Sequence, residues 1–158
     1  MNRINLFQNH RIWLVAVFCL FVNISIFAEN VSVGTTFTID NISYCVTSEN
    51  EVAVYRTQNL EIVVIPDEVT YKANVYQVTS VIYREKSDPD MTGWSAASKI
   101  VFGKNIKKID SEAFSLRNDN LEEVVLNEGL EEIGNRAFYY CKKLRKINLP
   151  KSLKKIGE

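Results

Sequence analysis

Few side chains in this sequence have the chemistry of a catalytic or metal-binding group. The 158 residues contain one histidine, His10, and three cysteines, Cys19, Cys45 and Cys141. His10 and Cys19 both lie in an N-terminal segment typical of export signals, which are removed from the mature chain. Without His10 the remaining chain has no Ser-His-Asp or Cys-His catalytic group and no histidine-based metal site.

Residues 1–28 have the pattern of a signal peptide. The basic residues come first: Arg3, His10 and Arg11. An apolar run follows at 12–27, and Ala28 offers a small residue for cleavage. Two alternatives remain open: an uncleaved membrane anchor, for which a span needs roughly 20 residues, and a lipoprotein, although Phe18 precedes Cys19 where a small residue is expected.

The second half of the chain repeats itself. One unit reads KIVFGKNIKKIDSEAFSLRNDN, the next LEEVVLNEGLEEIGNRAFYYCKK, and a third begins LRKINLPKSLKKIGE. The spacing is 24 residues from Phe102 to Leu126 and 23 from Leu126 to Leu149. Further equivalent positions are Ile106, Leu130 and Leu153; Ile109, Ile133 and Ile156; Ala113-Phe114 and Ala137-Phe138; and Leu121 and Leu144.

This period and these leucine-type positions are typical of leucine-rich repeats. Val124 and Leu126 alternate with Glu123 and Val125, which is the period of a half-buried strand. We therefore predict a mainly β fold: a solenoid of short parallel strands joined by turns or short helical corners. Each coil buries its apolar edge only against its neighbours.

Paired glutamates could form an acidic ligand site or an acid–base pair, but the repeat suggests another role. Charges alternate in sign from coil to coil at two equivalent places. One place reads Lys107-Lys108, Glu131-Glu132 and Lys154-Lys155; the other reads Ser98-Lys99, Glu122-Glu123 and Arg145-Lys146. Side chains on neighbouring strands lie about 5 Å apart. We interpret both series as ion ladders that set the register of the coils.

The repeats resemble the BspA-like leucine-rich repeats of secreted and surface proteins of anaerobic bacteria and some protists. LRKINLPKSLKKIG and GLEEIGNRAFYYCKKL follow the family consensus, which makes Cys141 a packed position and not a nucleophile. The unit before them departs from it, with Asp110 in place of a glycine and no cysteine in SLRNDN. The resemblance covers about 100–158 and implies secretion or surface attachment, with adhesion to host or bacterial proteins in some members.

Residues 29–82 are predicted to be a β-rich leader and a degenerate first coil. Asp40-Asn41 is a hairpin turn signal within an alternating stretch. In the coil, Ile65-Pro66 is aligned with Leu149-Pro150, and VTSV at 78–81 with KKIG at 154–157. Cys45 lies in this leader, far from Cys141 in the sequence, so we predict two free thiols and no disulfide.

Residues 83–99 are predicted to be an irregular surface insertion. Asp88 and Asp90 could bind Ca²⁺, but their spacing matches no calcium loop. Trp94 is either a lid on the first coil or an exposed contact residue. At the other end, 100–158 stops before a third Ala-Phe corner, so we expect a shortened product, a fragment, or an end capped by a partner.

These observations predict a binding module, with a structural stub or truncated paralogue as the alternative, and not an enzyme. There is no Gly-rich phosphate loop, G-x-S-x-G motif or metal-ligand cluster, so no cofactor, metal or small-molecule substrate is predicted. Loss of Arg3 and Arg11 leaves 17 basic and 19 acidic side chains, which disfavours nucleic acid. The expected partner is a protein, and membrane contact would require an uncleaved anchor. The candidate ligand face comprises Lys99, Val101, Glu123, Val125, Lys146 and Asn148, with Tyr139, Tyr140 and Trp94 in loops.

Overall fold

The computed structural model describes residues 29–83, 94–115 and 118–158, and the regular elements within these ranges are all β-strands. The predicted signal peptide, Asp88 and Asp90 lie outside them. No helix in the described ranges is long and apolar enough to cross a membrane. The strands are β1 Thr36–Ile39, β2 Ile42–Val46, β3 Glu51–Thr57, β4 Ile62–Val64, β5 Glu68–Tyr71, β6 Asn74–Val81, β7 Lys99–Val101, β8 Lys108–Ile109, β9 Glu123–Val125, β10 Glu132–Ile133, β11 Lys146–Ile147 and β12 Lys155–Ile156.

The strands form two sheets joined by successive coils. Sheet A has the order β1-β2-β3-β6-β8-β10-β12, with β5 paired to β6, and sheet B has the order β11-β9-β7-β4. From β6 onward each coil contributes one strand to each sheet, and all neighbours along the stack are parallel. The predicted β solenoid is therefore confirmed, and its corners are turns, with no helical corner among the described residues.

The leader begins with the predicted hairpin. Asp40 and Asn41 have φ of 51° and 63°, the left-handed pair that a two-residue type I′ turn requires. This turn joins β1 to β2, and β3 then pairs antiparallel with β2 and parallel with β6. The hairpin strands thus extend sheet A beyond the first coil, while sheet B begins at β4.

The core lies between the two sheets. Inward positions of the inner coils are almost fully buried: Ile100 and Ile109 at 0% exposure and Val124 at 1%. The equivalent residues of the last described coil are open, with Ile156 at 58% exposure, because no described coil covers them. Burial at these positions therefore depends on a neighbour on each side, as expected for a stacked repeat.

Aromatic rings fill the predicted Ala-Phe corners. Phe114 and Phe138 stack face to face, with ring centroids 5.1 Å apart and planes at 5°. Trp94 packs edge-on against Phe114 at 4.6 Å and is only 2% exposed. Trp94 is therefore the lid of the stack, and its placement on the ligand face was wrong, because its ring is buried against Phe114.

The degenerate first coil confirms one alignment and corrects another. The Ile65 N–H donates to Val101 O at 2.9 Å, which places Ile65 next to Phe102 in the stack. Both side chains are buried, as the alignment of Ile65 with Leu149 requires. However, Val81 pairs with Ile109 and not with the following position, so the VTSV alignment was one residue out of register. A shift of one residue would turn the fully buried Val81 to the solvent face. Strand β7 also begins at Lys99, within the predicted insertion.

Candidate functional site

The outer face of sheet B carries two parallel rows of side chains. Strand register places Ile62, Lys99, Glu123 and Lys146 in one line, which we call the charged row. The alternate positions form the apolar row, which contains Val64, Val101 and Val125 and reaches Asn148 just beyond β11. The structure thus brings together six of the nine residues proposed from the sequence.

The apolar row is exposed to solvent although it consists of valines. Val64 is 60% exposed, and Val101 and Val125 are half-buried between their neighbours. Ile62, at the β4 end of the charged row, is also 60% exposed. Because all of these side chains stand on hydrogen-bonded strands, the apolar surface they present is rigid.

Glu123 holds the charged row together. Its Oε2 lies 3.2 Å from Lys99 Nζ and its Oε1 lies 2.7 Å from Lys146 Nζ, so one carboxylate bridges three coils. Hydrogen bonds from Lys146 and then from Lys99 lower the pKa of Glu123 below its usual value. The two ion pairs therefore favour the ionised form of this carboxylate.

Sequence reasoning missed Ile62 and Val64, which start both rows. The signal was available, because aligning Ile65 with Leu149 already places Ile62 and Val64 at outward positions of the first coil. They were overlooked because the first coil lacks the charges that mark the later ones.

Asn148 also joins two coils. Its Oδ1 accepts from Leu126 N–H at 2.7 Å, and its Nδ2 donates to Leu126 O at 2.9 Å. Both ends of the amide are occupied by the backbone of the preceding coil. Asn148 therefore fastens one coil to the next.

Tyr139 and Tyr140 lie on a separate surface, the corner between sheet A and sheet B. Both are 48% exposed, and their rings meet edge to face at 4.8 Å and 68°. Arg136 lies 5.8 Å from the centroid of the Tyr139 ring, and Lys142 lies 4.8 Å from that of Tyr140. We call these four residues the Tyr corner.

Glu131 and Glu132 also belong to ion pairs. Glu131 and Glu132 lie 2.8 Å from Lys154 and Lys155 respectively, as the ladder predicted. Toward the preceding coil the ladder prediction fails in part. The Lys108 ammonium, which was predicted to pair with the Glu131-Glu132 coil, pairs with Asp110 of its own coil at 2.9 Å. Hydrogen bonds from the two lysines lower the pKa of both glutamates, so neither pair resembles a carboxylate dyad that shares a proton.

Two cysteines lie among the described residues. Cys45 and Cys141 are free and half-buried. Burial raises the pKa of the Cys141 thiol to about 11, and its Sγ donates to Phe114 O at 3.6 Å. Within 29–83, 94–115 and 118–158, no group of three or more His, Cys, Asp or Glu could hold a metal ion.

One shallow depression of about 300 Å³ lies beside the Tyr corner. Its lining is polar and consists of Ser111, Glu112, Asn135, Arg136 and Glu158. Asn135 Oδ1 accepts from the Glu158 N–H and Ser111 Oγ accepts from the Asn135 N–H, so these groups hold adjacent coils together.

Comparison with known families agrees with this geometry. Residues 93–158 match the family described as "BspA type Leucine rich repeat region (6 copies)". The repeat region of this chain is therefore similar to the BspA type of leucine-rich repeat. A search among curated proteins found no match.

Solved structures of bacterial repeat proteins have the same fold. A leucine rich cell surface protein from Faecalibacterium prausnitzii matches with a TM-score of 0.62 and 21% identity over 82% of this chain and 34% of its own. A leucine-rich repeat protein from Bacteroides capillosus matches with a TM-score of 0.64 and 22% identity, over 77% of this chain and 86% of its own. The leucine rich repeat protein of T. pallidum matches with a TM-score of 0.62 and 21% identity, over 78% of this chain and 54% of its own. The chain thus spans about a third of the first protein and about half of the third.

Proposed function

We propose that this chain is a protein-binding module of the bacterial cell surface and that its ligand docks on the outer face of sheet B. The observation that carries the proposal is the exposed apolar row beside a charged row. Interface cores are typically apolar with a polar rim. The two rows offer both, on a backbone that needs no ordering before it binds.

The cellular location is part of the same proposal. Residues 1–28 have the pattern of an export signal, and the F. prausnitzii protein with this fold is described as a cell surface protein. An exported module with a preformed apolar face is suited to contact proteins of a host or of neighbouring cells. Adhesion is the role that these features support together.

Matched valine substitutions test the face. Val64→Ser removes an exposed valine from the apolar row, and Val75→Ser removes one that is 53% exposed on β6, away from sheet B. The purified chain and both variants are measured by biolayer interferometry against a panel of purified extracellular domains from host and bacterial surface proteins. We expect Val64→Ser to weaken binding about tenfold, the loss typical of an interface anchor, and Val75→Ser to leave it unchanged.

Two results contradict the proposal. Equal effects of Val64→Ser and Val75→Ser would mean that binding, if seen, does not use sheet B. Absence of binding to every domain in the panel, from a chain shown to be folded and monodisperse, would favour the structural stub predicted as the alternative.

A further inference from the structure

The Tyr corner combines exposed aromatic rings with a fixed orientation. Tyr139 and Tyr140 each leave about half of their surface open, and their edge-to-face contact at 4.8 Å holds the two rings relative to each other. Buried rings of this chain, such as Phe114, fill the core, but these two do not. Their contribution to packing is therefore small for residues of their size.

Basic side chains surround the rings. The stretch 136–146 contains five basic residues and no acidic one. Arg145 and Lys146 pair with glutamates of the preceding coil. In the part of the chain that the structure describes, no carboxylate forms an ion pair with Arg136, Lys142 or Lys143, and Lys143 Nζ bonds the neutral amide of Asn120 at 3.0 Å.

The backbone at Tyr140 is unfavourable for a tyrosine. Its φ of 63° lies in the left-handed region, where Gly and Asn are accommodated much more readily than a residue with a bulky side chain. The turn is fixed by a hydrogen bond from Lys142 N–H to Tyr140 O at 2.8 Å. Folding alone does not explain a tyrosine here, because the residue brings strain and leaves about half of its surface exposed. Strain of this kind is often found at binding sites.

We propose that the Tyr corner is a second binding surface, which takes an acidic, extended segment of a partner protein. Carboxylates of the segment accept hydrogen bonds from Arg136, Lys142 and Lys143, and its apolar side chains pack on the tyrosine rings. The proposal rests on the proposed function in that the partner is a protein, but it uses a different face.

The geometry favours an acidic protein over an anionic polysaccharide. Sugar rings stack on flat aromatic faces, but here one tyrosine presents its edge to the other and a cation lies close to each ring. Tyr and Arg are the residue types enriched in the anchors of protein interfaces.

Fluorescence anisotropy with two labelled peptides tests the inference on the purified chain. In the probe, Glu alternates with Leu, and in its control Gln replaces every Glu. We expect the chain to bind the probe at least about tenfold more tightly than the control. Tyr140→Asn and Lys142→Ala should each weaken binding of the probe about fivefold or more.

Lys151→Ala is the matched control, because it removes the same charge from an exposed lysine of the next coil. It should change binding less than about twofold. Tyr140→Asn keeps the fold, since Asn tolerates the left-handed turn, and an undiminished melting temperature verifies this. Equal losses for Lys151→Ala and Lys142→Ala, equal binding of the two peptides, or binding to chondroitin sulfate but not to the probe would overturn the proposal.

The two proposals can fail separately. Val64→Ser should leave binding of the acidic probe unchanged, because β4 lies at the opposite end of sheet B from β11. Loss of probe binding in Val64→Ser as well would contradict a separate surface. Loss of the protein ligand in Val64→Ser with intact probe binding would support both.

Discussion

Asn118 occupies the position in its coil that Cys141 occupies in the next. In both coils the carbonyl at this position accepts a hydrogen bond from the backbone N–H three residues later. Leu121 N–H donates to Asn118 O at 3.3 Å, and Leu144 N–H donates to Cys141 O at 3.0 Å. The Asn118 side chain is fully buried, and neither its Oδ1 nor its Nδ2 has a hydrogen-bond partner among the residues that the structure describes. A polar amide thus lies where the repeat otherwise places a small, weakly polar thiol.

Replacing Asn118 with Cys should therefore stabilise the protein. A buried polar group without a partner costs about 1–3 kcal/mol, so we expect Asn118→Cys to raise the free energy of unfolding by about 1–2 kcal/mol. Chemical denaturation measures the change. The reciprocal variant Cys141→Asn is the control and should destabilise the fold. A stability unchanged or lowered by Asn118→Cys would mean that the amide is satisfied in solution.

Because of the ion ladders, we expect the folded state to lose stability at acid pH. The pKa values of Glu123, Glu131 and Glu132 are lowered by hydrogen bonds from lysines, so the charged form is favoured in the folded state. Their contribution is present above the unfolded pKa, near 4.5, and is lost as pH falls through the lower folded pKa values. We expect the melting temperature to fall in that window.

Substitutions assign this acid sensitivity to the ladders. Glu123→Gln should lower the melting temperature at neutral pH and flatten its decline in acid, because Gln cannot pair with Lys99 or Lys146. Glu49→Gln, at an exposed site outside the ladders, serves as control. An acid transition of the same steepness in Glu123→Gln would show that the ladder does not contribute.

Cys141 should resist alkylation in the folded protein. Its thiol has a pKa of about 11 because of burial, well above the usual value near 8.5, so little thiolate forms at mildly alkaline pH. Iodoacetamide labelling followed by mass spectrometry of the peptides should show slow modification of Cys141 and rapid modification in urea. Equally fast labelling of the folded and unfolded protein would contradict this.

Trp94 should report the integrity of the lid. The only other tryptophan is Trp13, so a chain lacking the first 28 residues contains one indole. Burial at 2% exposure predicts blue-shifted emission that iodide quenches weakly. Unfolding in urea should shift the emission to the red and restore quenching. Strong quenching in the native state would place Trp94 at the surface, as the rejected interpretation had it.

The sequence by itself determined the stacking register of the coils from β7 onward. The spacing of 23 to 24 residues identifies which side chains share a place in successive coils, and alternation within each strand assigns them to the core or to solvent. Two rows of the candidate face and the ladder from Glu131 and Glu132 to the next coil followed from these local rules. The hairpin turn at Asp40-Asn41 was equally local, because it depends on two adjacent residues that tolerate positive φ.

The tertiary structure decided where side chains had a choice of partners. Lys108 lies near two carboxylates, Glu132 in the next coil and Asp110 in its own coil. Only the packed geometry selects Asp110, which is closer in sequence, as the partner of its ion pair. Trp94 closes the first corner because that corner has no preceding Ala-Phe pair to cover Phe114. A repeat specifies neighbours along the stack, but rotamers and the path of a non-repeating segment depend on contacts between residues that no period relates.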